Sequence, residues 1–334
     1  MTFPLPLPIA DPELAAALSA RLDLVEERLR GAVTHADLLA DSASRHLVNA
    51  GGKRLRSLLT LLTAQLGEGQ RPEVIDAAVV VELTHLATLY HDDVMDSAPV
   101  RRGAPTAHEV WGNSVAILTG DLLFARASRL VAGLGPEAVR IQAETFERLC
   151  LGQLHETVGP GAGDNAIEHY LQVLADKTGS LIATAARFGA MFAGCEPPVV
   201  AQVTSYGELA GVAFQLADDV IDVRSAAEVT GKTPGTDLRE RVATMPVLLL
   251  RERVAAGGGV EDRALLAAID GDLTSDARLA EVVAALGRHS VVDETSEKAR
   301  SWGDEAIAAI AGLPAGEVKD ALVAFADALV SRAG

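Results

Sequence analysis

Apolar residues recur at helical spacing along most of this chain. Asp11-Pro12 reads as an N-cap followed by proline in the first turn, and residues 12–30 carry helix-period apolar positions with charges between them. Between Pro72 and Asp96 the residues Val74, Ile75, Val79, Val80, Val81, Leu83, Leu86 and Leu89 cover most of a helix circumference. That pattern predicts a central helix with protein on all sides. Residues 97–106 are rich in turn formers and predict a loop, after which helical spacing resumes over 116–130. Further helices are predicted over 57–66, 137–158, 166–193, 199–223 and 244–254. Gly257-Gly258-Gly259 marks a surface connection, and the rest, to Ala333, reads as amphipathic helices without a chemical motif.

Composition sharpens this picture. The chain has 334 residues, 49% hydrophobic but only 4% aromatic, a mix that favours helix over a β sandwich. With no long linker, the expectation is an all-α protein, a single-domain helical bundle over residues 10–334. Lys and Arg total 29 against 46 Asp and Glu, a formal net charge of −17, so no nucleic-acid footprint is evident. Any anionic ligand must therefore be held by a local basic patch or by metal ions. Cys150 and Cys195 lie in apolar stretches without metal-ligand spacing and read as buried reduced thiols. Residues 1–12 lack the pattern of a signal peptide, and no uninterrupted apolar run reaches membrane-spanning length. The expectation is a cytoplasmic protein, with contact to a membrane surface left open.

Two acidic clusters interrupt segments that otherwise read as core. The first is His91-Asp92-Asp93-Val94-Met95-Asp96, and the second is Asp218-Asp219-Val220-Ile221-Asp222. In each, the outer aspartates stand four apart and share a helical face, able to grip one divalent cation. One such cluster alone is as well explained by a solvated helix end; two at identical spacing are not. Magnesium suits them, because it takes hard oxygen ligands and bridges protein carboxylates to substrate phosphates.

A basic set complements the acids. Gly51-Gly52-Lys53-Arg54-Leu55-Arg56 places glycines at a helix N-terminus, where backbone N–H groups meet an anion, and adds Lys53 and Arg56 three apart. Arg101 and Arg102 follow the first acidic cluster by a short loop and can reach phosphate oxygens there. His85 lies seven residues before Asp92 and faces roughly the same way. Lys177-Thr178-Gly179, Gln215 and Lys232 add donors. Taken singly, the basic turn is an ordinary solvated turn and His85 an ordinary core histidine. Together these groups describe a site that binds diphosphates through Mg²⁺.

In order and spacing, the motifs resemble those of the trans-polyprenyl diphosphate synthases, from Gly51-Gly52-Lys53-Arg54 to Asp237-Leu238-Arg239. The likeness takes in both acidic motifs, the Arg101-Arg102-Gly103 loop, the stretch from Ala116 to Asp121, Lys177-Thr178-Gly179 and the stretch from Phe214 to Asp219. The resemblance implies a homodimeric helical bundle of the isoprenoid synthase type, in which two Asp-rich helices face each other across a deep central cavity and hold about three Mg²⁺ ions. It also implies Asp92, Asp96 and Asp218 as the main metal ligands, with Asp93, Asp219 and Asp222 completing the motifs. Lys53, Arg56, His85 and Arg102 would hold isopentenyl diphosphate; Arg101, Lys177, Thr178, Gln215 and Lys232 would hold the allylic diphosphate. One departure stands out: Arg241-Val242 follow Glu240 where the family often has Gly-Lys, so a lysine able to assist the allylic diphosphate is missing.

In the family, residues before the first acidic motif line the cavity into which the product grows. Here they are Ala87 and Thr88, with Thr84 and Val80 on earlier turns, all modest in size. One isoprene unit spans roughly one helical turn of about 5 Å. A medium-to-long product is therefore expected, unless Ala87 is small merely to let helices approach. Two rival readings remain. A class I terpene cyclase or head-to-head synthase would not need the Gly-Gly-Lys-Arg turn, and a non-catalytic partner subunit would be free to lose its aspartates.

Overall fold

In the computed structural model, which describes residues 9–224 and 235–331, the N-cap expectation holds. Asp11 accepts a 2.7 Å bond from the Leu14 N–H, Pro12 sits in the first turn, and α1 runs Pro12–Ala32. Asp37 caps α2 (Leu38–Asn49) in the same way. Then come α3 (Leu55–Ala64), α4 (Pro72–Met95), the strands β1 (Val100–Arg101) and β2 (Ala104–Pro105), α5 (Ala107–Trp111), α6 (Asn113–Gly133) and α7 (Pro136–Val158). After α8 (Ala166–Leu174) a π-helical turn, Ala175–Gly179, leads into α9 (Ser180–Phe192) and α10 (Pro197–Arg224). The remainder comprises α11 (Thr236–Arg239), α12 (Met245–Ala255), α13 (Val260–Ile269), α14 (Asp276–Gly287), α15 (Ser290–Ala309) and α16 (Glu317–Val330).

The all-α expectation is borne out, and among the described residues the only sheet is the two-residue hairpin β1–β2. That hairpin lies in the stretch expected as a plain loop, α2 is a helix the apolar pattern did not mark, and the cysteines expected to be buried are exposed at Cys150 and half-buried at Cys195. The helix expected over 166–193 is broken by the π turn, which periodicity does not reveal.

The chain divides into two compact units. The first comprises Met1–Leu149, Ser180–Gly207 and Ala309–Ala324. Within it α4 packs against α1, α3, α6 and α9, as a helix apolar all round must. By length and composition α4 could cross a membrane, but most of it is buried inside this unit. Leu83, Leu86, Val79 and Tyr90 are fully buried, each large side chain contributing about 1.5–3 kcal/mol. The Tyr90 hydroxyl donates to the Ala43 carbonyl at 2.5 Å and accepts from the Leu47 N–H at 3.2 Å, tying α2 to α4. At the α3–α9 crossing a Cβ on Gly189 would fall 2.1 Å from the Thr60 carbonyl oxygen, so glycine alone permits this approach.

The second unit comprises Cys150–Gly179, Glu208–Ala308 and Phe325–Gly334. Its core gathers Val212, Leu216 and Val220 of α10, Leu250 of α12, Leu286 of α14 and Val291 of α15. Helix α12 packs on α8 and α13, and α13 on α14.

Candidate active site

The first acidic motif closes α4. At a helix C-terminus unpaired carbonyls already add negative potential, so carboxylates there favour a cation beside them. Asp92 is half-buried and Asp96 exposed, on one accessible side of the helix. Asp93 differs: it is fully buried, Arg101 Nε donates to its Oδ1, and its Oδ2 has no hydrogen-bond partner. Burial pushes the Asp93 carboxyl up from its usual range, against the pull of Arg101.

The second motif repeats this division in the second unit. It lies in the last two turns of α10, with Asp218 and Asp222 half-buried and Asp219 buried. Asp219 accepts from the Tyr170 hydroxyl at 3.0 and 2.9 Å and from the Met245 N–H at 3.1 Å. Burial drives its carboxyl well above the ordinary range despite those donors, and Asp237 and Asp218 push the same way.

Asp93 and Asp219, expected among the metal ligands, lie in the core, because the position next to the first aspartate is about 100° round the helix from it. Asp92 with Asp96 and Asp218 with Asp222, each pair four apart, are the less buried aspartates of their motifs. Among the described residues no three His, Cys, Asp or Glu side chains form a metal cluster. Two carboxylates per motif, completed by phosphate oxygens and water, is the donor set Mg²⁺ takes, so the residues fit that ion.

The basic set converges within the first unit. Gly51 and Gly52, at φ 83° and 156°, bend the chain into α3. Arg102 donates to the Gly51 carbonyl, and to that of Leu47 at 3.3 Å. Lys53 is exposed, and Arg56 is half-buried with its Nε lacking a partner, a donor left over for an anion. His85 is half-buried among arginines. Burial, then Arg56, Arg102, Arg101 and Arg54, hold its imidazole well below the usual histidine value, so it is neutral at pH 7. The structure thus brings Arg56, His85 and Arg102 together, while Arg101 is engaged by Asp93.

In the second unit, the π turn carries Lys177 and Thr178. It approaches α7 closely at Gly152, where a Cβ would lie 2.8 Å from the Lys177 backbone nitrogen. Lys177 Nζ donates to Glu156 at 2.5 Å, and Gln153 Nε2 donates to the same oxygen at 3.1 Å. Gln153 Oε1 is buried without a partner. Gln215 is half-buried, one turn before Asp218. Lys232 lies outside the described residues. Arg241, a candidate to stand in for the missing lysine, donates to the Gly271 carbonyl at 3.3 Å.

The sequence profile of the polyprenyl synthetase family matches residues 38–286. The chain belongs to the polyprenyl synthetase family. It is 44% identical over 328 residues to a nonaprenyl diphosphate synthase of Mycobacterium tuberculosis, covering 98% of this chain and 96% of the relative. It is 36% identical to heptaprenyl diphosphate synthase component 2 of Geobacillus stearothermophilus, over 91% and 93% of the two chains. Among solved structures, geranylgeranyl pyrophosphate synthase from Corynebacterium glutamicum, complexed with calcium and isoprenyl diphosphate, matches with a TM-score of 0.86 and 41% identity, covering 98% of this chain and all of that one.

Within this family member, sequence reasoning overlooked Gln153, Glu156, Tyr170, Glu26 and Glu82. Glu156 was findable only as the last-turn partner of a basic group elsewhere in the chain. Gln153 lies only three positions from Glu156, whereas Glu26, Glu82 and Tyr170 lie 28 to 49 positions from the side chains they serve, beyond the reach of local pattern. Of the pocket candidates, Val80, Thr84 and Ala87 are buried and Thr88 half-buried. A Cβ on Gly120 would lie 3.0 Å from the Ala87 carbonyl oxygen, so α4 and α6 approach closely beside Ala87 and its small size has a packing reason as well.

Proposed function

We propose that this protein condenses isopentenyl diphosphate with an allylic diphosphate to give all-trans polyprenyl diphosphates of medium to long chain, with Mg²⁺ bound at each acidic motif, by Asp92 with Asp96 and by Asp218 with Asp222. The carrying observation is the repeated division of labour, two outer aspartates open and one inner aspartate buried, together with the basic set around Arg56, His85 and Arg102. When bound, the metal neutralises charge on the departing diphosphate. Lys177 and Thr178 bind the allylic diphosphate and orient its C–O bond, whose electron pair leaves with the diphosphate. Lys53, Arg56 and Arg102 hold the second diphosphate, with neutral His85 as a hydrogen-bonding neighbour. The isopentenyl double bond attacks the allylic cation, forming the new C–C bond, and the released diphosphate accepts the proton that restores an alkene. A water-poor site would protect the cation from hydrolysis.

The working assembly in this reading is a homodimer in the cytoplasm, the whole chain acting as one catalytic domain. Exposed Ile117 and Leu118 on α6 supply apolar surface that a second copy would cover. Exposed Leu154 and Val158, four apart on α7, offer a similar stripe, which could also meet a membrane surface during product release. A subunit of a heteromeric synthase is the second reading, motivated by the Geobacillus relative's name as a component. The retained aspartate pairs weigh against a non-catalytic subunit. The test is incubation with isopentenyl diphosphate and separate allylic primers, with Mg²⁺ or chelator, followed by sizing of products. Metal-dependent elongation is expected; a folded protein that elongates no primer would refute the assignment.

A further inference from the structure

Arg54 is the residue whose placement the substrate-binding reading leaves unexplained. It precedes α3 in the left-handed region, φ 52° and ψ 33°, and makes no side-chain cap bond to the helix. Gly51 and Gly52, three and two residues earlier, show that glycine is used in this bend where φ is positive. An arginine in the left-handed region is uncommon, and a side chain held there needs the surroundings to over-determine it.

The surroundings do so. Arg54 is 3% exposed, and its guanidinium lies between two buried carboxylates from helices distant in sequence. Nε donates to Glu26 of α1, Nη1 donates to Glu82 of α4 at 2.8 Å, and Nη2 reaches the Val48 carbonyl at 3.4 Å. Glu82 also accepts from Ser57 Oγ of α3 at 3.3 Å. Buried and saturated in this way, Arg54 is not available to an anion, although it sits between the two residues assigned to one. A buried ion network of this kind is weak evidence for stability and better evidence for a specified geometry.

We propose that Arg54 is a positioning residue: clamped by Glu26 and Glu82, it holds the 51–56 bend in the left-handed path that sets where Lys53 and Arg56 meet the diphosphate of isopentenyl diphosphate. The inference rests on the reading of Lys53 and Arg56 as ligands of that substrate. It separates three consecutive features of the motif: glycines that turn, a buried arginine that locks, and flanking cations that bind.

The test is steady-state kinetics with each substrate varied in turn, for Lys53→Ala, Arg54→Gly, Arg54→Lys and Glu26→Gln, with thermal melts alongside. Glycine suits the backbone at position 54 better than arginine does, so Arg54→Gly removes the clamp without adding strain. The expected result is a roughly tenfold or greater rise in KM for isopentenyl diphosphate in Arg54→Gly, the scale of a lost charge-assisted network. KM for the allylic primer should stay within about twofold, and Arg54→Lys should recover part of the loss. Glu26→Gln, which touches Arg54 from α1 and carries the test if Arg54→Gly does not fold, should shift the same KM in the same direction. If Lys53→Ala raises that KM while Arg54→Gly and Glu26→Gln leave it unchanged, the positioning role is overturned and the binding site stands. If none of the variants moves it, the binding-site reading fails and takes this proposal with it.

Discussion

Tyr170→Phe removes one oxygen atom and tests how the second acidic motif is held. The Tyr170 hydroxyl is the donor that reaches both oxygens of buried Asp219, at 3.0 and 2.9 Å, leaving the Met245 N–H at 3.1 Å as the other donor. A hydrogen bond contributes about 0.5–1.5 kcal/mol net, so a loss of roughly 1 kcal/mol is expected. With an unfolding entropy of about 2.1 cal/mol/K per residue, 334 residues taken as one cooperative unit give ~0.7 kcal/mol/K, hence a Tm lower by about 1.5 °C. Asp219 is adjacent to Asp218 on α10, so loosening it should also raise the Mg²⁺ concentration for half-maximal activity several-fold, with KM for isopentenyl diphosphate unaffected. Thermal denaturation monitored by far-UV circular dichroism and a Mg²⁺ titration of turnover measure the two effects. An unchanged midpoint together with an unchanged Mg²⁺ curve would refute the argument, showing that Asp219 needs no such donor.

Gly189→Ala should destabilise the first unit by at least 2 kcal/mol, because a Cβ would sit 2.1 Å from both the Thr60 carbonyl oxygen and Thr63 Oγ1; a wild-type denaturation midpoint would contradict the α3–α9 crossing. His85 has a depressed folded value, so its contribution to stability is fully present above the unfolded pKa of about 6.5 and is lost as pH falls towards the folded value. Denaturation midpoints between pH 7.5 and 5 should therefore fall more steeply for the wild type than for His85→Gln, by less than the ~1.4 kcal/mol per pH unit of one fully coupled proton. Parallel profiles would show that His85 is not desolvated. Thr88→Phe, at a half-buried position away from full core packing, should shorten the longest product by one or more isoprene units, read by chromatography; an unchanged distribution would remove this face of α4 from the growth pocket.

The helical class, the α4 and α10 motifs and the basic turn were legible in the sequence, because each depends on spacing within one helix or one loop. An i, i+4 pair of aspartates shares a face whatever surrounds it, and Asp11-Pro12 starts a helix by local hydrogen bonding alone. What the third aspartate of each motif does was not legible. Asp93 and Asp219 look like Asp92 and Asp218 as letters, and only the packing of Arg101, Tyr170 and the Met245 N–H around them buries them as anchors. The same holds for Arg54, read in the sequence as one more cation of a basic turn. Its partners Glu26 and Glu82 each lie 28 residues away along the chain and meet it only when α1 and α4 pack beside the bend. The π turn at Lys177 likewise has no apolar period of its own. Local spacing therefore determined which residues are presented together on one helix, whereas burial and long-range partners, which exist only after the helices dock, decided which of those residues stay accessible and which hold the others in place.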